Sequence, residues 1–229
     1  MNLIKEFMEN PLFSIGLSVM IFELFSLINK KTKLAILNPL LLTIGFMILL
    51  LKLCSIPFNT YNEGGQFISM FLAPATAALG LSIFRQFPLL KKNLIPVLTG
   101  CLAGALTSTF SVHFLCKLFQ IDESLRFSLL PKSVTTPIAM EISSQLSGIP
   151  SITVAAVVIT GILGSILCPY LIKIFRIDNA TIAGVSIGAC SHAVGTSKAV
   201  ELGDVEGAMS GIAIGISGII TVILALIFF

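Results

Sequence analysis

Charge is scarce in this sequence. Asp, Glu, Lys and Arg together make up 11% of its 229 residues, against about 25% in a soluble domain. So little polar surface cannot cover an apolar core in water, which excludes a water-soluble globular domain. No polar stretch is long enough to form a large extramembrane domain. The fourteen Lys and Arg are scattered over short connections and form no basic patch, so nucleic acid is not an expected partner. The five cysteines, Cys54, Cys101, Cys116, Cys168 and Cys190, are odd in number and lack CxxC spacing. They read as packing residues, not as a disulfide frame or metal site. With no HExxH or Cys/His metal spacing and no P-loop pattern, neither a metal, nor another cofactor, nor direct coupling to ATP is expected. Strict alternation of apolar and polar residues is also missing, which excludes an outer-membrane barrel.

What the chain has is apolar length. Hydrophobic residues make up 55% and the mean hydropathy is +1.02. At about 20 residues per crossing there is room for roughly seven or eight helical segments. Six runs read as plain spans: Leu12 to Ile28, Leu37 to Leu53, Phe67 to Phe84, Leu94 to Leu118, Ile152 to Ile172 and Met209 to Phe229. Met1 to Pro11 offers no small-residue cleavage site and reads as a short tail ahead of the first membrane helix. Two further segments, Phe127 to Leu146 and Ala180 to Leu202, are long enough to cross but carry Pro, Gly, Ser, Thr and ionisable residues in their middles. The basic clusters Lys30, Lys31, Lys33 and Arg85, Lys91, Lys92 put their loops on the cytoplasmic side. Lys173 and Arg176 fall outside if both polar segments cross and inside if the first one only re-enters. Charge alone leaves that open.

An internal repeat organises the chain further. Phe71-Leu-Ala-Pro-Ala-Thr-Ala-Ala-Leu79 is answered by Val134-Thr-Thr-Pro-Ile-Ala-Met-Glu-Ile142, and Phe119-Gln-Ile-Asp122 by Phe175-Arg-Ile-Asp178. A fainter third copy begins after Asp178. One domain is therefore expected over 1–229: two leading spans in 1–63, repeat units in 64–122 and 123–178, and a third in 179–229. Each unit is an interrupted segment followed by a smooth helix.

The interruptions carry the chemistry. Pro fits the first turn of a helix, and Thr is a good N-cap, so Thr135-Thr136-Pro137 predicts a helix starting inside the membrane. Such a start points free N–H groups and partial positive charge into the protein, which makes an anion site. The same reasoning applies at Pro74 and Thr76, and at Gly195-Thr196-Ser197, where Gly permits the break and the hydroxyls cap the next turn. Irregular backbone at membrane depth must be buried in protein or line a wet cavity, and secondary transporters build midplane substrate sites this way. Ionisable residues lie beside these breaks. A charge at the bilayer centre costs about 2.5–3.5 kcal/mol, so Glu141, His192 and Lys198 should face a cavity or a partner. Glu141 and His192 are the expected proton carriers. Lys198 is expected to neutralise an anion, with an ion pair to Glu141 or Glu201 as its alternative use. Gly203, Gly207, Gly211 and Gly215 predict close helix packing on the last span. Gly184-Val-Ser-Ile-Gly188 matches GxSxG, but no strand precedes it and no carboxylate is placed to orient His192.

Lys132-Ser-Val-Thr-Thr-Pro-Ile-Ala-Met-Glu-Ile142, Gly148-Ile-Pro150, Thr160-Gly161 and Ser191-His-Ala-Val-Gly-Thr-Ser-Lys-Ala-Val-Glu201 resemble the signature stretches of the LrgB/CidB family of bacterial membrane proteins. Phe71-Leu-Ala-Pro-Ala-Thr76 resembles the family's first breaker motif, with Ala73 where Gly usually stands. The resemblance implies one of two roles: transport of small carboxylates, or an antiholin-like regulator of murein hydrolase export acting with a holin-like LrgA/CidA partner. The expected protein is thus an all-α, polytopic protein of the cell membrane with discontinuous helices around a central polar site. It is expected to contact lipid, to oligomerise, to carry a small monocarboxylate such as pyruvate, glycolate or lactate, and not to be an enzyme.

Overall fold

The computed structural model describes residues 10–32, 37, 39–71, 74, 77, 81, 84 and 87–229. It has two compact units, 1–75 and 76–229. The described part of the first contains α1 (Pro11–Thr32), α2 (Pro39–Leu53) and α3 (Phe58–Ser69). α1 and α2 are apolar on nearly every side, as lipid contact requires. α3 is amphipathic and seats Gly64 against the Pro11 carbonyl, while Tyr61 and Ser18 share a 2.9 Å hydroxyl bond. The sequence gives no signal for this helix, since its polar residues deny it apolar length and Asn and Gly-Gly lower its helix propensity. The span expected over Phe67 to Phe84 falls largely outside the described residues, as does Thr76.

The second unit contains α4 (Phe87–Lys92), α5 (Leu94–Leu118), α6 (Glu123–Leu129), α7 (Thr136–Gln145), α8 (Pro150–Ile174), α9 (Ala180–Leu202) and α10 (Asp204–Phe228). Four helices among the described residues are long and apolar enough to cross a membrane: α1, α5, α8 and α10. Each of the last three has 25 residues, about 37 Å at 1.5 Å per residue and enough for the roughly 30 Å hydrocarbon layer. α5 and α10 run parallel: the Cys101 thiol meets the Ala213 carbonyl at 3.7 Å, and further along Phe110 meets Phe228 with ring centroids 5.5 Å apart. Their contact centres on a buried apolar cluster that includes Val97, Cys101, Met209 and Ile212.

Both polar segments turn back. In the first, the Ser124 hydroxyl at the start of α6 donates to the Ser147 carbonyl beyond the end of α7, and the Ile149 N–H donates to Ser128 Oγ at 2.7 Å. The chain therefore enters along α6, turns over 130–135 and leaves along α7 on the side it came from. That settles the point charge left open: Lys173 and Arg176, at the end of α8, lie at the same end of the unit as Lys91 and Lys92. Four basic residues lie at that end, against Lys117 and Arg126 at the other, which is the distribution expected of a cytoplasmic end.

In the second segment, α9 is broken at His192 (φ 42°, ψ −141°). On the arm before the break, Gly184 faces Glu206 and Met209, and Gly188 faces Ser210 and Ala213; this arm runs parallel to α10. On the arm after it, Thr196 meets Ser210 and Val200 meets Gly207, which is the antiparallel direction. The 23-residue α9 is thus a second hairpin, entering from the cytoplasmic end, and α10 starts where α9 began.

Glycines of α5, α8, α9 and α10 bring helices together, among them Gly100, Gly161, Gly184 and Gly218. Gly207 does pack, on Val200, but a Cβ at Gly211 would have nothing within 4 Å. The expected glycine stripe on the last span is therefore only partly a packing face.

Candidate functional site: two hairpin tips

The tip of the first hairpin sits near mid-depth. Ser133 Oγ bonds Ser108 Oγ of α5 at 2.7 Å, and Ile138 lies against Gly218 of α10. α7 begins here. Its N-cap residue is Thr135, followed by Thr136 and by Pro137 in the first turn. Ala139 N–H to Thr135 O, 2.9 Å, is its first backbone bond, so the N–H groups of Thr136 and Ile138 lie ahead of the ladder. The Thr135 side chain makes no capping bond. Its Oγ1 is buried and has no hydrogen-bond partner in a residue only 5% exposed. Ser217, one residue before Gly218 on α10, is likewise buried, with its hydroxyl beside the Cys101 thiol. A buried hydroxyl left unpaired costs on the order of 1–3 kcal/mol, so each such group calls for an explanation.

The tip of the second hairpin is held by His192. Its ring is buried against α8, with Nε2–H donating to the Val157 carbonyl at 2.9 Å. Close approach is possible because α8 presents Gly161: a Cβ there would stand 2.5 Å from His192 Cε1. Gly164 likewise leaves room for Ser191. The returning arm starts after His192, so the N–H groups of 193–195 open toward the tip. Thr196 closes this turn, its hydroxyl bonded to the His192 carbonyl at 2.9 Å and to Ser210 Oγ at 2.7 Å.

The break expected at Gly195 is in fact at His192. Gly195 has no positive φ; it is buried, and a Cβ there would collide with Ser191 and Ile187 across the hairpin. Gly195 is needed for the close return and His192 carries the strained turn, held by its ring. Left-handed backbone in a non-glycine residue costs roughly 1–2 kcal/mol.

The structure thus places Thr135, Thr136 and Pro137 at one tip, and His192, Gly195 and Thr196 at the other. Pro74 belongs to the first unit. Glu141 is exposed on α7, with Oε1 accepting from Gln145 Nε2 at 2.8 Å, and Ser197 is exposed with its hydroxyl bonded to the Ala193 carbonyl. Lys198 takes up its alternative use: Nζ pairs with Glu201 Oε2 at 2.5 Å, six residues and roughly 9 Å along the arm from the tip. Among the described residues no cluster of His, Cys, Asp or Glu is arranged to hold a metal. Ser186 of the GxSxG match lies exposed on a regular helix, not on a strand-to-helix turn.

One residue at the first tip was missed as a site residue. Lys132 is half-buried, with Nζ 3.4 Å from Ser133 Oγ and no carboxylate within 4.0 Å among the described residues. The signal was its place four residues ahead of Thr136, but a lysine beside Pro131 reads equally well as a loop end. The second hairpin reaches the same region: Val157 of α8 packs against Val134 and Ala139 of the first hairpin while its carbonyl accepts from His192 of the second, and Ala189 lies against Gly104 of α5, one turn from the Ser108 that bonds Ser133. The two tips therefore lie together, with Cys190 next to Ala189 on the second.

Comparison with known proteins agrees with the resemblance. Residues 18–229 match the LrgB-like family. The chain is 37% identical over 184 residues to protein YwbG of Bacillus subtilis (strain 168), covering 80% of this chain and 82% of that one. It is 33% identical over 214 residues to the antiholin-like protein LrgB of Bacillus mycoides (strain KBAB4), and equally so to that of Bacillus cereus (strain B4264), covering 93% of each partner. No solved structure matches.

Proposed function

The chain belongs to the LrgB-like family of multi-pass membrane proteins, and on that footing we propose that it is a secondary transporter for a small monocarboxylate of the pyruvate, glycolate or lactate type. The observation that carries the reading is the meeting of two hairpins, from opposite sides, at mid-depth. Each returning arm starts at its tip, and both tips contact Val157 of α8, so two helix N-termini lie near one another, each contributing about half a positive charge. A carboxylate there accepts from the N–H groups of α7 and of the returning arm of α9, and from the unpaired hydroxyl of Thr135. A merely spanning protein has no use for these features, whereas alternating access requires a site reachable from either side.

Thr136, Pro137, Gly195 and Thr196 shape the two starts. His192 positions the second tip and, with Glu141 on the exit face of α7, is the proposed route for a coupled proton. Pro74 and Thr76 are proposed to add a third interrupted segment. The repeat reading has support from α5 and α8, which end alike: Gln120 (φ 53°) and Arg176 (φ 51°) occupy the same left-handed position after each, 56 residues apart.

The antiholin-like relatives of Bacillus mycoides and Bacillus cereus motivate a second reading, a subunit that modulates a holin-like partner. We assign no enzymatic chemistry under either. The purified chain in proteoliposomes, alone and with a co-expressed holin-like subunit, tests both. Saturable uptake of labelled monocarboxylate by the chain is the expected result. No uptake under any pH gradient, with or without the partner, rejects transport, and stable copurification without uptake selects the regulator.

A further inference from the structure

We infer that Lys132 is the residue that binds the carboxylate, and that Cys190 forms the opposite wall of the same cleft. The inference rests on the carboxylate-transport reading above and adds to it the charged group and the two walls of the seat.

The argument begins with an ammonium that has no counter-charge. A lysine taken out of water is costly unless paired, and Lys132 has one long hydrogen bond to a serine hydroxyl and no acidic neighbour within 4.0 Å among the described residues. Ser133, a neutral hydroxyl also bonded to Ser108, brings no counter-charge. Three residues on, Thr135 Oγ1 is buried and, among the described residues, without a partner, at the start of a ten-residue helix whose first N–H groups likewise have none among them. A cation, an orphaned hydroxyl and a helix start within one turn of chain are all satisfied by one ligand, a small carboxylate. Lys198 does not offer this, since Glu201 already neutralises it. Cys190 is exposed, and its neighbour Ala189 lies against Gly104 of α5, one turn from the Ser108 that bonds Ser133 beside Lys132.

The thiol makes the charge readable without transport. In the reconstituted full-length protein, Cys190 labelling is followed by peptide mass spectrometry with two methanethiosulfonates of similar size, one bearing a sulfonate and one a trimethylammonium group. Beside an uncompensated ammonium the anionic reagent should react about tenfold faster, relative to its rate at Cys54. Lys132→Gln should bring that ratio close to one, Lys132→Arg should keep it, and millimolar pyruvate should slow labelling of the wild type but not of Lys132→Gln. An unchanged ratio in Lys132→Gln overturns the inference, and so does a Cys190 that neither reagent reaches. If Lys132→Gln does not fold, the wild type still decides: no anionic preference and no protection by pyruvate reject the inference. The two proposals fail separately. Absent uptake with the charge preference intact rejects transport alone, whereas intact uptake in Lys132→Gln with an unchanged KM rejects the role of Lys132 alone.

Discussion

Gly161→Ala tests how the second hairpin is held. The new Cβ would stand 2.5 Å from His192 Cε1, 2.8 Å from Nε2 and 3.0 Å from Val194 Cβ. Ordinary carbon contacts are about 3.5–4.0 Å, so the ring must retreat by roughly 1 Å. The 2.9 Å bond from Nε2 to the Val157 carbonyl then passes the 3.5 Å limit and is lost. A lost hydrogen bond of about 1 kcal/mol and a few kcal/mol of overpacking give a destabilisation of about 3 kcal/mol. Tm in detergent should fall by roughly 5–10 °C, and uptake should fall with it because the turn at His192 is no longer braced. Gly211→Ala is the matched control, since nothing lies within 4 Å of its Cβ. It should be neutral or slightly stabilising, as Ala is the better helix former by up to about 1 kcal/mol. Combining Gly161→Ala with His192→Ala should recover part of the loss, because the ring that collides is gone. Equal effects of the two glycine substitutions, or strict additivity in the double variant, would refute the packing argument.

Other outcomes follow from the same geometry. Thr135→Val removes an unpaired buried hydroxyl without changing shape, so it should leave Tm unchanged or raise it while raising KM for uptake about tenfold, the worth of roughly 1.4 kcal/mol of hydrogen bonding to a charged ligand. Lys198→Gln breaks only a partly exposed pair with Glu201 and should alter KM less than twofold in the same uptake assay. Cysteines placed at Lys92 and Arg176 should both react with an impermeant thiol reagent from the cytoplasmic face, and one placed at Asp122 from the other face. Opposite sidedness for the first two would mean that the α6–α7 segment crosses after all.

The sequence carried the class of this protein because membrane helices are written in composition: continuous apolar runs produced α1, α5, α8 and α10 at nearly their observed limits. Thr135-Thr136-Pro137 was legible for a different reason. Proline and an N-capping hydroxyl act locally, so the start of α7 could be read without tertiary information. The return of the second segment could not. Nothing in the residues around His192 demands a reversal; it depends on space supplied by Gly161 and Gly164 of another helix and on a bond to the Val157 carbonyl. The sequence signal there, Gly195, points to a hinge, whereas in the structure it serves close packing. The charges divided in the same way. Lys198 stood in the most polar stretch and attracted attention, yet its partner is only one turn along its own helix. Lys132 looked like a loop residue, and only the arrangement of the tips leaves it deep and unpaired.

The central claim is that α9 reverses at His192, so that two hairpins meet tip to tip. Nitroxide labels at Ile182 and Val200, both exposed and outside the proposed seat, report on it directly by dipolar coupling in the reconstituted protein. An uninterrupted helix would separate these positions by about 27 Å at 1.5 Å per residue. Two packed antiparallel arms bring them to roughly 10 Å between backbones. Strong dipolar broadening, corresponding to a label distance below about 20 Å, is the predicted result; a narrow distribution near 27 Å would contradict the hairpin and the anion seat built on it.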